Sequence, residues 1–284
     1  MPKKQVPLDK SPLSLFDLSG RTAVVTGGAG LLGSEFCISL AQAGARVAIV
    51  DRNSSSGAEL AESIREQGFE AISIETDITN PESVQNMVAT TLNTFGRLDI
   101  LVNSAALDPK FDPQHHTQET HGSGAFEDFS LEAWNQAVEV NLTGAFLCCQ
   151  AVSKPMLKQG SGVMINVSSI YGVVAPDQRV YQRQNQPPQF KPVYYTVTKA
   201  GILGLTRYLA TYYAGKNIRV NALTPGGVYN GHDDDFIQAY SARSVMGRMA
   251  KKDEMNGALL FLASDASAYM TGANLVVDGG WTAW

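Results

Sequence analysis

Seven short runs of apolar, largely β-branched residues recur along the chain, and helical patterns separate them. Each run is apolar throughout rather than alternating with polar residues, as expected for strands that are covered on both faces. Strands that alternate with helices in this way form a parallel, doubly wound sheet. The sequence therefore predicts an α/β fold, a single domain with a seven-stranded parallel sheet and helices on both faces. The predicted strands cover residues 22–25, 46–50, 71–75, 100–102, 163–167, 219–223 and 275–277.

Three segments do not follow this alternation. Residues 1–14 carry prolines and lysines without periodicity, which predicts a flexible arm ahead of a single catalytic domain over 15–284. Residues 107–128 and 175–192 are polar or rich in proline, which predicts two long loops on one rim of the sheet. Loops of this length inside a compact domain are usually functional or disordered, and a plain surface insertion is the alternative.

The composition narrows the classes of partner. Of 284 residues, 22 are basic and 27 are acidic, and this balance lacks the concentrated positive charge of nucleic-acid-binding proteins. The three cysteines, Cys37, Cys148 and Cys149, are few and odd in number and are interpreted as reduced packing residues. No stretch approaches 18 uninterrupted apolar residues, and no apolar segment follows Lys3 and Lys4. We therefore expect a cytoplasmic protein that binds neither nucleic acid nor membrane.

A glycine-rich turn follows the first predicted strand and leads into a helical pattern. Its candidate binding residues are Gly27, Gly30, Leu32 and Gly33. Glycines let backbone N–H groups approach a pyrophosphate at the positive end of the next helix, although any tight strand-to-helix turn can use glycine. The turn is thus typical of a Rossmann-type dinucleotide site, provided that a carboxylate follows the second strand.

Asp51 supplies such a carboxylate, at the end of the second predicted strand. It can accept hydrogen bonds from an adenosine ribose, with a simple helix N-cap as the alternative. An acid here repels the 2′-phosphate of NADP, and the glycine turn has no Lys or Arg to attract one, so NAD is favoured over NADP. Arg52 follows directly and could serve a 2′-phosphate, which keeps NADP open.

Tyr195 and Lys199 stand four residues apart in a later helical pattern, so their side chains share one face. Tyr194 is five residues from Lys199 and is turned away from it. A nearby ammonium favours the phenolate and can lower the pKa of a tyrosine from its usual value near 10. The pair therefore suits a general acid and base, although an ordinary amphipathic helix can carry the same spacing by accident.

The order of the motifs resembles that of the short-chain dehydrogenase/reductase family, in its compact single-domain branch. The resemblance extends from about residue 18 to residue 281, and each motif follows the strand at which the family carries it. It implies an enzyme that transfers hydride between NAD(P) and a carbonyl or secondary alcohol. The motifs are the glycine turn, Asp77, residues 103–106, Asn141, Ser168 and Ser169, the Tyr195–Lys199 pair, Pro225 and Gly226, and the terminal Asp278-Gly279-Gly280.

The resemblance also implies residue roles. Tyr195 would transfer the proton, Lys199 would bind the nicotinamide ribose and lower the tyrosine's pKa, and Ser169 would hydrogen-bond the reacting oxygen. Asn141 would hold a water in the proton relay, and the Val228 backbone would meet the nicotinamide carboxamide. The remaining cofactor-binding candidates are Asp77, Ile78, Asn103, Ala105, Pro225 and Gly226, with Asp77 and Asn103 on the adenine side.

Three features depart from the family pattern. The turn has Leu31 where the compact branch usually has glycine, a spacing similar to the extended branch of nucleotide-sugar epimerases. Little chain remains after Pro225 for the substrate domain of that branch, so the compact assignment is kept. Residues 103–106 read Asn-Ser-Ala-Ala instead of Asn-Asn-Ala-Gly, and the segment between Ser169 and Tyr195 is about twice the family's usual length.

Both predicted loops leave strand ends that carry the chemistry, so we expect them to frame the substrate. Their side chains are polar and partly cationic, which favours a small hydrophilic, sugar-derived molecule, neutral or anionic, over a steroid or long acyl chain. The histidines match no metal-ligand spacing, and no metal is expected. The loops carry His115, His116, His121, Gln178, Arg179, Gln182, Arg183 and Lys191; Tyr171, Arg179, Arg183 and His121 are the substrate candidates, with plain solvated side chains as the alternative.

Residues 171–178 and the proline-rich loop are similar to reductases of flagellin modification and nonulosonic-acid synthesis, and to gluconate-type sugar dehydrogenases. The alternatives are a 3-oxoacyl-type carbonyl reductase, a sugar-nucleotide epimerase that shows no net turnover of NAD, and a non-catalytic NAD-binding protein. The family resemblance further implies a homo-oligomer, tetramer or dimer. The apolar tail 281–284 fits burial against a partner subunit or against the chain's own core.

Overall fold

The sheet of the computed structural model, which describes residues 11–108, 125–183 and 187–284, has the seven predicted strands. These are β1 (Thr22–Thr26), β2 (Arg46–Asp51), β3 (Ala71–Glu75), β4 (Ile100–Asn103), β5 (Gly162–Val167), β6 (Ile218–Pro225) and β7 (Asn274–Val277). Their order is β3-β2-β1-β4-β5-β6-β7, and all neighbouring strands are parallel. The predicted doubly wound α/β fold is confirmed, and each predicted strand ends within two residues of the observed one.

Helices cover both faces of the sheet, because successive residues of each strand point to opposite faces. In β1, Val25 belongs to the cluster that contains Phe36 and Leu262, whereas Val24 belongs to the cluster with Met87 and Val152. The helices are α1 (Leu31–Gln42), α2 (Ser54–Glu66), α3 (Pro81–Phe95), α4 (Leu131–Val138), α5 (Ala145–Gln159), α6 (Val193–Tyr212), α7 (Asp234–Ser241) and α8 (Asn256–Ala263). Helices α1, α2 and α8 thus build one core layer, and α3, α5 and α6 build the other.

Local sequence signals set the ends of α3. The Asn80 side chain accepts hydrogen bonds from the backbone N–H groups of Glu82 and Ser83, at 2.9 and 3.2 Å. Pro81 occupies the first helical position, where its missing N–H is not needed. Gly96 ends the helix with a φ of 76°, a conformation that costs glycine little.

The segments outside the alternation are described only in part. Ser11 caps a 3₁₀ helix over Pro12–Phe16, which crosses the predicted boundary between arm and domain; that boundary stays a prediction. The predicted rim loops contain short 3₁₀ helices at Phe126–Asp128 and Gln178–Tyr181. Residues 109–124 and 184–186 lie outside the described ranges. In the part that is described, no helix is both long and apolar enough to cross a membrane.

The strand order determines where a ligand can bind. Strand β1 pairs with β2 on one side and with β4 on the other, so the connections after β1 and β4 run in opposite directions from this point. Such a reversal opens a crevice at the carboxyl ends of the strands. The glycine turn follows β1, and the first rim loop follows β4, so both lie at this crevice.

Candidate active site

A cavity of about 1180 Å³ opens along the carboxyl edge of the sheet. Its volume exceeds the roughly 300–1,000 Å³ typical of single small-molecule sites, so it has room for a dinucleotide and a small substrate. Three predicted catalytic residues, Ser169, Tyr195 and Lys199, line it, and so does Tyr171. The predicted cofactor residues that line it are Gly27, Gly30, Leu32, Gly33, Asp51, Arg52, Asp77, Ile78, Ala105, Tyr195, Lys199, Pro225, Gly226 and Val228.

The turn between β1 and α1 has no room for a side chain at two of its glycines. Gly27 has a φ of +62°, and a Cβ there would lie 2.7 Å from the Cα of Ala105. A Cβ on Gly33 would lie 2.0 Å from the carbonyl oxygen of Gly27. The bare backbone leads into the N-terminus of α1, where unpaired N–H groups and the helix dipole attract anions. These residues therefore fit the pyrophosphate of a nicotinamide dinucleotide.

Two carboxylates line the cavity beside this turn. Asp51 accepts hydrogen bonds from the backbone N–H groups of Ala29 and Asn53, at 3.1 and 3.0 Å, and so also braces the glycine turn. Asp77 accepts from the hydroxyl and N–H of Thr79, at 2.7 and 2.9 Å, which holds the pKa of this carboxyl below its usual range. Each carboxylate oxygen has a further lone pair, so both residues can still accept from a ligand.

Tyr195 and Lys199 lie one turn apart on α6 and face the same cavity. Lys199 is 4% exposed, and its Nζ donates to the carbonyl oxygen of Val167 at 2.9 Å. The same Nζ lies 5.8 Å from the centroid of the Tyr195 ring. The hydroxyl of Ser169 is near enough to Tyr195 to oppose the rise of its pKa, and it accepts from the N–H of Tyr171 at 3.2 Å. Two hydroxyls and an ammonium thus meet at the end of β5.

Burial dominates the titration of these groups. It raises the pKa of Tyr195 well above its usual value; the charge of Asp108 adds to the rise, and the hydrogen bond with Ser169 opposes it. Burial lowers the pKa of Lys199 to about 8. The family resemblance implies that Lys199 lowers the pKa of Tyr195; its ammonium is bound to the Val167 carbonyl oxygen, 5.8 Å from the centroid of the Tyr195 ring, and this role stays a prediction. A protonated phenol is the form that donates a proton to a carbonyl.

Tyr194 has a different environment from its neighbour. It is 2% exposed and does not line the cavity. Its ring lies 5.9 Å from that of Phe129, between α6 and the segment before α4. Tyr194 and Lys199 therefore lie on different sides of α6, as their spacing along the helix predicts.

Asn141 lies beside the cavity rather than on its surface. It is 2% exposed and belongs to a π-helical segment, Glu139–Gly144, between α4 and α5. Its Oδ1 accepts from the N–H of Leu107 at 2.6 Å, and its Nδ2 donates to the Leu107 carbonyl at 3.1 Å and to the Thr198 hydroxyl at 3.3 Å. The side chain thereby fixes the start of the first rim loop against α6. Single π-helical turns are frequent at functional sites.

Asn103 lies beneath the cavity. Its Nδ2 donates to Asn166 at 2.9 Å and to the sulfur of Cys149 at 3.2 Å, and Asn166 donates in turn to Thr206 at 3.0 Å. The Asn103 side chain thus connects β4 with β5 and α5, Asn166 extends the network to α6, and Asn103 does not line the adenine side. Its Oδ1 is buried without a hydrogen-bond partner among the residues that the structure describes.

The remaining substrate candidates lie apart from the cavity or outside the described ranges. Arg183 donates to Asp233 at 2.8 Å and to the Val180 carbonyl at 3.1 Å, which ties the second rim loop to α7. Arg179 pairs with Asp177 at 2.8 Å, and its side chain is 80% exposed. Neither arginine lines the cavity. His121 belongs, with His115 and His116, to the residues that the structure does not describe.

The structure adds lining residues that the sequence did not assign to the site. Phe236 and Tyr240 of α7 line the cavity, and Tyr240 stacks on Trp281 with ring centroids 4.2 Å apart. The acidic turn at residues 233–235 before Phe236 is a helix-start signal that could have identified this element. Asp108 and Lys191, one from each rim loop, form an ion pair in the cavity.

Metal ligands and reactive thiols are absent from the described part of the chain. No group of three or more His, Cys, Asp or Glu residues there could hold a metal ion. All three cysteines are free and buried, and burial raises the pKa of the Cys149 thiol to about 12. A buried thiol of this kind is inert.

Comparison with known proteins assigns the family. A protein-family model described as enoyl-(acyl carrier protein) reductase matches residues 29–282. A short chain dehydrogenase/reductase of Aspergillus oryzae is 38% identical over 275 residues, which cover 93% of this chain and 96% of that protein. The D-threitol dehydrogenase of Mycolicibacterium smegmatis is 35% identical over 272 residues, covering 94% and 95%.

The solved structures are similar over the same length. That of a gluconate 5-dehydrogenase from Burkholderia cenocepacia J2315, in complex with NADP and tartrate, has a TM-score of 0.84 and 30% identity. The match covers 96% of this chain and 100% of the other. The predicted family is confirmed: the chain belongs to the short-chain dehydrogenases/reductases, NAD(P)-dependent oxidoreductases that act on CH–OH and C=O groups.

Proposed function

We propose that this enzyme transfers hydride between NAD and a carbonyl or secondary alcohol of a small, polar, sugar-derived molecule, with Tyr195 exchanging the proton. The observation that carries the proposal is that the hydroxyls of Ser169 and Tyr195 and the buried Lys199 line one cavity. These groups share one cavity with the glycine turn. A dinucleotide at one end and a reacting oxygen at the other can therefore meet.

The two hydroxyls determine where the reacting oxygen binds. In the reductive direction the phenol of Tyr195 donates its proton to the carbonyl oxygen, while Ser169 donates a hydrogen bond to the same oxygen and stabilises its developing charge. In the oxidative direction the phenolate form of Tyr195 accepts the alcohol proton. The ammonium of Lys199 stabilises this phenolate electrostatically before the transfer. The nicotinamide cofactor, when bound, supplies or accepts the hydride.

The charges along the cavity support a position for the cofactor. The backbone around Gly27, Gly30 and Gly33 would hold the pyrophosphate, and Lys199 the nicotinamide ribose. Asp51 would accept from the adenosine ribose, and its negative charge would repel a 2′-phosphate. The Burkholderia relative was solved with NADP, so the preference for NAD rests on this carboxylate and not on the fold.

The polar cavity wall supports a hydrophilic substrate. The hydroxyls of Tyr171 and Tyr181 hydrogen-bond each other at 3.0 Å, and Asp108 and Lys191 lie on the same wall. The relatives include a D-threitol dehydrogenase and gluconate 5-dehydrogenases. A 3-oxoacyl-[acyl-carrier-protein] reductase of Synechocystis is also 33% identical over 270 residues, which supports acyl carbonyl reduction as the second candidate. The charges of Asp108 and Lys191 disfavour an apolar acyl chain at this wall, because burying them beside the chain would cost their hydration.

A homo-oligomer is part of the proposal. Helix α6 exposes Val197, Tyr208 and Tyr212, at 44%, 63% and 65%, and large exposed apolar side chains of this kind favour an interface between copies. Trp281 is 7% exposed and packs in its own chain, whereas Trp284 is 81% exposed. Sedimentation of the purified protein tests this, and a monomer at micromolar concentration would contradict it.

The activity is tested by incubating the protein with NAD or NADP and a panel of polyols, sugar acids and 3-hydroxyacyl thioesters. We expect NADH to accumulate with polyols or sugar acids. A preference for the thioesters would instead favour the acyl reductase. Interconversion of sugar nucleotides without net NADH would favour the epimerase and overturn the proposal.

A further inference from the structure

The ion pair between Asp108 and Lys191 stands at the reacting end of the cavity. It joins the two rim loops, because Asp108 lies in the first and Lys191 in the second. Both side chains line the cavity together with Ser169 and Tyr195. The Nζ of Lys191 lies 4.0 Å from the centroid of the Tyr195 ring. A substrate held by the two hydroxyls therefore presents its neighbouring substituents to this pair.

The two partners are held differently. The side chain of Lys191 is 8% exposed, and that of Asp108 is 50% exposed. Gln178 fixes the lysine's backbone, since its Oε1 accepts from the Lys191 N–H at 2.8 Å and its Nε2 donates to the Lys191 carbonyl at 3.2 Å. The lysine side chain is thus a buried part of the wall on an anchored backbone, whereas the carboxylate is open to a ligand.

The charge of Asp108 reaches much of the cavity. Burial raises the pKa of the tyrosines on the wall and the charge of Asp108 adds to that rise, whereas for Lys199 the same charge opposes the lowering of the pKa by burial. Burial lowers the pKa of His232, another lining residue, which is also within reach of the charges of Lys191, Asp108 and the paired Asp233 and Arg183. The affected tyrosines are Tyr171, Tyr181 and Tyr195. The carboxylate therefore acts on the reacting end of the cavity.

An ammonium beside a carboxylate offers both a donor and an acceptor, and the two charges balance. Such a pair suits a group that donates and accepts at once, rather than an ion. We propose that Asp108 and Lys191 together recognise a hydroxyl on the carbon next to the reacting carbon. That hydroxyl accepts from the Lys191 ammonium and donates to the Asp108 carboxylate.

The preferred substrates are then vicinal diols and the matching α-hydroxyketones. A methylene group at the same position can neither donate nor accept, and it would displace water from the charged pair without offering a hydrogen bond in return. This inference rests on the proposed function and narrows its substrate class. It also separates that function from 3-oxoacyl reduction, because a methylene group adjoins the carbonyl of those substrates.

The test compares matched alcohols: cyclohexane-1,2-diol against cyclohexanol, and butane-2,3-diol against butan-2-ol. The quantity measured is the ratio of kcat/KM for diol and mono-alcohol. We expect the unmodified enzyme to favour the diol by about tenfold or more, equivalent to about 1.4 kcal/mol. Lys191→Met and Asp108→Asn should each bring the ratio towards one, mainly by lowering kcat/KM for the diol.

Two further variants act as controls. Lys191→Arg keeps the charge and should keep most of the preference. Lys252→Met removes a lysine from an ion pair with Glu35 outside the cavity and should leave the ratio unchanged. Thermal unfolding identifies any variant that fails to fold. If Lys191→Met fails to fold, Asp108→Asn still tests the proposal, because Asp108 is half-exposed.

The outcomes separate the two proposals. Equal kcat/KM for diol and mono-alcohol in the unmodified enzyme, or a ratio that both substitutions leave intact, would overturn the role of the ion pair while hydride transfer to NAD stands. If the enzyme binds NADH but oxidises neither these alcohols nor any polyol, the proposed function fails and this inference fails with it.

Discussion

Lys199 donates from its Nζ to the carbonyl oxygen of Val167 over 2.9 Å, and this bond ties α6 to the last residue of β5. The bond does not replace the water that a lysine loses on burial, since burial still lowers the pKa of Lys199 to about 8. The enzyme therefore keeps a poorly solvated positive charge at the centre of its site.

This charge gives stability a defined pH dependence. The pKa of Lys199 is about 8 in the folded protein and 10.5 in its ordinary state. Between these values the unfolded chain binds more protons, so the free energy of unfolding rises with pH, by up to about 3 kcal/mol from this group. Below the folded value the contribution is constant. We expect the Tm of the unmodified protein to gain on that of Lys199→Met as pH rises through this window. A difference that stays constant would contradict the lowered pKa.

Tyr195→Phe should lower kcat by about 10³-fold, because it removes the proton donor and little else. NADH binding, followed by fluorescence, should stay near that of the unmodified enzyme. Tyr194→Phe is the matched control, since this neighbour lies outside the cavity, and its kcat should change little. Turnover that survives Tyr195→Phe would exclude the proposed proton transfer.

Substitution at Asp51 should change the choice of cofactor. Asp51→Asn keeps an acceptor for the Ala29 N–H, which lies 3.1 Å from the carboxylate, but removes the charge that repels a 2′-phosphate. Asp51→Ala removes both. We expect the ratio of kcat/KM for NAD and NADP to fall about tenfold or more in each variant, with weaker binding of both cofactors only in Asp51→Ala. A parent enzyme that prefers NADP would refute the proposed preference.

Gly33→Ala should weaken cofactor binding and destabilise the fold, because its Cβ would lie 2.0 Å from the Gly27 carbonyl oxygen. Gly257→Ala provides the contrast, since a Cβ on this α8 residue meets nothing within 4 Å. It should stabilise the protein by about 0.5–1 kcal/mol through helix propensity. The Kd for NADH and the Tm of both variants measure the two effects, and unchanged NADH binding by Gly33→Ala would count against the steric argument.

The sheet could be predicted well from the sequence because strands buried on both faces are apolar runs that end at polar residues. A strand end is predicted less accurately where this contrast is missing. Strand β6, for example, continues through Thr224 and Pro225, which have the composition of a turn. The glycine turn and the shared helix face of Tyr195 and Lys199 could also be predicted, because each depends on residues that are close together along the chain.

The rest of the site depends on contacts between distant segments, which local spacing does not encode. Lys191 and Asp108 are 83 residues apart and follow different strands, yet they form an ion pair. Arg183 looked like a substrate ligand by its loop and charge, yet Asp233 of a later segment binds its guanidinium. Asn103 turns beneath the cavity because Asn166 offers its amide a partner on the next strand.

The strand order also governs how this protein must reach its native state. Ala23 pairs with Ile100, so the central pairing of the sheet waits for a long loop to close, and no pair of neighbouring strands is a simple hairpin. Such non-local pairing slows folding and leaves apolar strands uncovered for longer. Dilution from denaturant should therefore give slow refolding in competition with aggregation, and cofactor binding can stabilise only chains in which β1 and β4 have already met.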